Sequence, residues 1–200
     1  MRFTFVPKTM NCLVVALLVI CAPFACLAED TEVASIFPEG TFDEFVVEWY
    51  PGHLKAMDEG ALSPLAKNKT AVVYRFTCLR TFHRPFAIKV TKTKDGFELL
   101  RKVLSGKGGY EPGKIEESAK AELKPEVVAE LEKLLVATKF KDMKATIEDG
   151  GLDGSRWIVE EVRDGGYKVV DRWTPDEGSA LRRIGEWFLD AAKWKPKELY

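Results

Sequence analysis

The side chains best suited to chemistry in this chain are few and scattered. His53 and His83 are the two histidines, and Cys78 is the one cysteine beyond residue 26. A Cys–His pair could form an activated nucleophile, with His83 or His53 as the base. Cys78, however, alternates with Tyr74, Phe76 and Phe82 along an apolar strand face, where a thiol is ordinarily buried and inert. Four further residues stand where apolar ones are expected. His53 interrupts the helical stripe Phe42, Phe45, Val46, Trp49, Ala56 and Met57. Arg80 shares the strand face of Val72, Tyr74, Phe76, Cys78 and Phe82. Glu160 and Asp171 share a hairpin face with Ile158, Val162, Tyr167 and Val169. A buried charge is costly unless paired, so pairing of Arg80 with Glu160 or Asp171 is expected.

Two readings of these residues follow. One is a sealed internal network that locks helix to sheet. The other is a pocket in which His53 and Glu160 are catalytic acid–base residues and Arg80 and Asp171 bind ligand. Arg80, His83 and Arg84 also converge at a strand end, either as a small ligand-binding corner for an anion or as a solvated turn.

Other signatures are missing from the sequence. With two histidines and no Cys-x-x-Cys pair, no zinc pattern exists and no metal is expected. Asp149 and Asp153 do not follow calcium-loop spacing. Gly106-Lys107-Gly108-Gly109 lacks the remainder of a phosphate-binding loop, and there is no Gly-x-Ser-x-Gly elbow. No cofactor is implied.

The elements that must position these residues can be placed from periodicity. A bent helix spans about 42–59, with Thr41 as its cap and Pro51-Gly52 as its interruption. A strand follows from Val72 to Phe82. A hairpin turns at Asp95-Gly96, with Phe86, Ile88 and Val90 on the same face as Phe97, Leu99 and Val103. Lys89 and Lys102 fall on its other face, which is therefore expected to be wet. Residues 114–123 read ambiguously, with an edge strand as one option. A second helix opens at Pro125, with Val127 or Val128, Leu131, Leu134 and Leu135 as its stripe. A second hairpin joins 156–163 to 167–173 through Asp164-Gly165, pairing Val162 with Tyr167 and Glu160 with Val169. Thr174-Pro175-Asp176-Glu177 has the form of a capping box for the last helix. Short hairpin connections favour antiparallel pairing. The predicted fold is α+β: an antiparallel sheet of about five strands, two hairpins plus one strand, with three helices mainly on one face.

Composition sets the class. Thirty basic residues balance 31 acidic ones, and 46% of the chain is hydrophobic, which argues against nucleic-acid binding and against disorder. Residues 1–28 read as a signal peptide. Arg2 and Lys8 precede the apolar run Leu13–Ala22, and Cys26-Leu27-Ala28 supplies small residues before a cleavage point. A lipid anchor at Cys26 or an uncleaved N-terminal anchor are the alternatives. Removing 1–28 leaves 28 basic residues against 31 acidic and Cys78 alone, hence no internal disulfide. The domain reading is 29–40 as a lead-in and 41–200 as a single domain, without a membrane span and expected to be a monomer.

Several phrases occur together: Trp49-Tyr50 with His53-Leu54-Lys55-Ala56-Met57; Tyr74-Arg75-Phe76 with Leu79-Arg80-Thr81-Phe82-His83-Arg84-Pro85; Gly108 to Gly113; Leu152-Asp153-Gly154 with Trp157; and Asp171-Arg172-Trp173 with Pro175. In these the chain resembles a group of uncharacterised exported bacterial proteins, from which Pro51-Gly52 departs. The resemblance implies a bacterial source and no activity. It also removes Asn68-Lys69-Thr70 as a glycosylation site.

The expected function is a non-catalytic binding or structural module of the cell envelope, periplasmic or extracellular, with a protein or small-ligand partner. A small hydrolase-like enzyme using His53 and Glu160 beside Arg80 is the alternative. An inhibitor or immunity-type protein, with Trp187 and Trp194 in an exposed patch, is a further one.

Overall fold

The computed structural model describes residues 36–200; the signal-peptide reading of 1–28 lies outside them. Among the described residues there are three helices and six strands, with two short 3-10 turns. In chain order they are α1 (Glu44–Ala56), β1 (Val73–Arg80), β2 (Phe86–Lys92), β3 (Phe97–Leu104), β4 (Ile115–Leu123), α2 (Pro125–Ala137), β5 (Ser155–Arg163), β6 (Gly166–Trp173) and α3 (Ala180–Ala191). The strands form one antiparallel sheet ordered β4-β3-β2-β1-β5-β6. The fold is therefore α+β. The ambiguous run 114–123 is the sixth strand, an exposed edge paired with β3.

Both hairpins adopt the register that their side-chain alternation specifies. Phe86 pairs with Val103 and Val90 with Leu99; Val162 pairs with Tyr167 and Glu160 with Val169. At the second turn Asp164 and Gly165 both take positive φ, 54° and 76°, the geometry that makes an Asp-Gly pair favourable in a two-residue hairpin.

Helices cover both faces of the sheet. One face carries Tyr74, Phe76, Cys78, Phe86, Trp157 and Val170 and packs beneath α2 and α3. The opposite face carries Leu79, Ile158 and Val169 and packs beneath α1 and the residues before it, Ile36, Phe37 and Phe42. β1 lies in the middle of the sheet and is buried along its whole length, Arg75 included. The Lys89–Lys102 face is accordingly not wet, because the C-terminal end of α1 lies against it and Lys102 donates to the Met57 and Asp58 carbonyls.

Two helix starts differ from expectation. Asp43, not Thr41, caps α1: its Oδ1 accepts from the Val46 N–H at 3.0 Å. α1 runs continuously through Pro51. The Thr174–Glu177 box caps nothing. Thr174 takes a positive φ of 36°, its hydroxyl accepts from the Ser155 N–H, and α3 begins only at Ala180. Among the described residues, no helix is long and apolar enough to cross a membrane.

Candidate functional site

β1 and β5 are neighbours, so residues opposite one another in that pair share a face. Arg75 lies opposite Glu160. Its Nε and Nη2 donate to the two carboxylate oxygens at 2.6 and 2.9 Å, and Tyr167 Oη donates to the same carboxylate at 2.9 Å. Arg75, not Arg80, is thus the partner of Glu160. Arg80 projects from the other face, and its guanidinium donates to the Arg84 and Glu198 carbonyls. Arg75 Nη1 also donates to the Gly60 carbonyl and lies 3.5 Å from Glu59. Glu59 in turn meets Lys89 at 2.6 Å and Lys102 at 3.0 Å. Burial opposes the charge on Glu59, yet the two lysines hold its carboxyl below the usual glutamate range.

Asp171 lies farther along the same face. Tyr50 Oη donates to its Oδ2 at 2.9 Å, and Arg156 Nη1 stands 3.4 Å from that oxygen. Arg156 is committed more closely to Asp149, at 2.6 Å. Burial pushes the Asp171 carboxyl up to about 6, with Arg156 and the Tyr50 hydrogen bond opposing. Two atoms of this array, Asp171 Oδ1 and Arg156 Nε, are buried without a hydrogen-bond partner.

His53 belongs to a different set of contacts. Its ring nitrogens face the Trp49 carbonyl at 3.2 Å and the Lys107 carbonyl at 3.4 Å. Burial lowers its pKa and favours the neutral ring. No hydrogen bond or ion pair among the described residues joins His53 to Glu160 or to Arg80. The corner at Arg80, His83 and Arg84 is filled by the chain itself. His83 meets Glu198 at 3.1 Å and Tyr200 Oη at 2.7 Å, and Arg84 pairs with Glu116 and Glu117. Trp187 and Trp194 are partly buried against the main core, with Trp194 edge-on to Phe86 and under Arg101.

The open feature on this side of the molecule is an aromatic cleft of about 690 Å³. Trp49 from α1, Tyr110 from the loop after β3 and Trp173 from the end of β6 line it, with Glu48 and Arg156 between them. Glycines bring these walls together. Gly108 lies so close to β1 that a Cβ would stand 2.4 Å from the Arg80 nitrogen, and its carbonyl accepts from Trp49 Nε1 at 2.9 Å. Gly151 and Gly154 lie flat against the Trp173 ring, where a Cβ would come within 2.7 Å. Arg156 stacks on Trp173 at 5.3 Å. Phe82 and Tyr110, whose rings are 6.2 Å apart, are both exposed, as is Leu152 at the cleft wall.

No protein-family model and no curated protein sequence matches the chain.

Sequence periodicity does not reveal this cleft, because its walls come from a helix, two strands and three connections that are distant in the chain. The available signal is local: Gly108-Gly109-Tyr110 and Gly150-Gly151-Leu152 each place a large exposed apolar side chain beside paired glycines. Among the described residues no group of three or more His, Cys, Asp or Glu side chains could hold a metal. What the cleft offers is aromatic surface for an apolar ring face, with a carboxylate and a guanidinium for polar edges.

Proposed function

We propose that the protein is an exported, non-catalytic binding module of the cell envelope that holds a small ligand in the Trp49–Tyr110–Trp173 cleft. The observation that carries this reading is the convergence of three aromatic side chains, Glu48 and Arg156 on one open cleft bordered by exposed Phe82 and Leu152. Exposed apolar side chains gathered at a concave site mark binding surfaces more often than scattered ones do. The ligand chemistry that fits is a ring with an apolar face and hydroxyl or amide groups at its edge. The partners of His53 and Glu160 support binding over hydrolysis. Glu160 spends its carboxylate on Arg75 and Tyr167, and His53 faces two backbone carbonyls. Export rests on the charge and hydropathy pattern of residues 1–28.

Saturation-transfer NMR tests this with cellobiose, chitobiose and maltose as probes, against the wild type and the Trp49→Ala and Tyr110→Ala variants. A probe whose signal appears with the wild type and is lost with both variants is the expected result. Probe signals unaffected by either substitution, or no signal from any probe, would refute the assignment of the cleft.

A further inference from the structure

Glu161 is the neighbour of Glu160 in β5 and points to the opposite face. It is only 4% exposed. Unlike every other buried carboxylate described above, it makes no hydrogen bond or ion pair with any described residue. It lies on the floor of a cleft of about 840 Å³ between the C-terminal half of α2, the turn that follows it and the end of β5. This cleft shares no lining residue with the aromatic one and sits at the opposite end of β5. Its apolar surface is Val136, 78% exposed, with the edge of Leu135 beside it and Phe140 buried beneath.

The rim carries Lys133, Lys139 and Lys141, and none of the three closes an ion pair with a described residue. Asp142 lines the cleft as well, beside Lys141, and the other charges that face Glu161 are engaged elsewhere. Arg163 is taken by Glu132 at 2.8 Å and Asp164 at 3.3 Å. Lys168, opposite Glu161 on β6, donates to the Met143 carbonyl. Lys141 is the cation that acts on Glu161 most strongly, yet the two remain apart. The cleft therefore presents an unpaired carboxylate at its floor, free ammonium groups at its rim and an aliphatic wall between them. Burial raises the carboxyl of Glu161 above the usual range, as it must for a charge that lacks a partner.

We propose that this second cleft binds an aliphatic α-amino acid as its zwitterion, with the ligand's ammonium on Glu161, its carboxylate on Lys141 and its side chain against Val136 and the edge of Leu135. Each charged end then gains the partner that the cleft lacks, and the apolar side chain covers surface that is otherwise exposed.

The test is titration of the full-length protein, followed by amide chemical shifts, with L-leucine, isoamylamine and 4-methylpentanoate. The latter two are leucine without its carboxylate and leucine without its amine. L-leucine is expected to give saturable shifts confined to α2, residues 139–142 and the end of β5. Each truncated probe should bind at least about tenfold more weakly, the loss expected for one charge-assisted contact. Glu161→Gln should weaken leucine and isoamylamine and spare 4-methylpentanoate, while Lys141→Ala should weaken leucine and 4-methylpentanoate and spare isoamylamine. Glu161→Gln removes a buried unpaired charge, so it should fold, and its far-UV circular dichroism checks that. The proposal fails if leucine gives no saturable shift in these residues, if isoamylamine binds as tightly as leucine, or if neither substitution changes leucine binding.

Discussion

Truncating Glu160 is the most informative single perturbation of this fold. In the Glu160→Ala variant, Arg75 stays fully buried and loses two hydrogen bonds, of 2.6 and 2.9 Å. It retains the Gly60 carbonyl at 2.8 Å and Glu59 at 3.5 Å, a carboxylate already engaged by two lysines. Leaving one member of a buried ion pair behind costs about 3–5 kcal/mol. Tyr167 Oη, which donates to Glu160, is orphaned as well, and a buried unsatisfied donor costs about 1–3 kcal/mol. Both penalties fall on one array and do not simply add, so a loss of about 4–6 kcal/mol is expected. That approaches the whole stability of a typical domain. The triple variant Arg75→Met, Glu160→Leu, Tyr167→Phe should recover most of this loss, because Glu59 keeps its two lysines and only the Gly60 carbonyl loses a donor. Urea unfolding followed by far-UV circular dichroism gives both values from the shift in midpoint at constant slope. A single variant within about 1 kcal/mol of wild type would refute the sealed-array reading. So would a triple variant as unstable as the single one, since the array would then be needed for something other than its own pairing.

Three further outcomes are expected. The folded-state pKa of Asp171, about 6, lies above its ordinary value, so the folded protein binds the proton more tightly and stability falls as pH rises from about 4 to 6. The fall attributable to this group is about 2–3 kcal/mol, and Asp171→Asn should remove it; an unchanged difference between variant and wild type across that range would contradict the assignment. Cys78 is fully buried with its thiol pushed up to about 12, so a thiol-reactive dye should label Cys78 only under unfolding conditions, as read by peptide mass mapping. Gly185 of α3 faces the Trp157 ring, where a Cβ would stand 2.3 Å from Cζ3, so Gly185→Ala should destabilise by about 1–3 kcal/mol despite its better helix propensity; a stabilised variant would show that α3 can shift without cost.

What the sequence made legible was local, and the misreadings share one physical origin. The β5–β6 hairpin was readable to the residue, because Asp164-Gly165 dictates a two-residue turn and alternation then assigns every face. The partner of Glu160 was not readable in that way. β1 reaches β5 across some eighty residues, and nothing in either strand encodes which neighbour it will have. With β1 buried on both faces, the odd-numbered residues Val73, Arg75, Thr77 and Leu79 are as interior as the even-numbered set. Alternation therefore singles out Arg80 as the misplaced cation, whereas the partner of Glu160 is Arg75. The Thr174–Glu177 box failed for a related reason: the Thr174 hydroxyl was taken by Ser155 on the neighbouring strand before it could cap a helix. Glu161 marks the limit of such reading. On alternation alone it is simply the residue beside Glu160. Its unpaired state follows only from where α2 ends and where Arg163 finds its acids, both set by tertiary packing. In this fold the paired charges stabilise the sheet, and Glu161, a buried carboxylate with no partner among the described residues, does not contribute in that way.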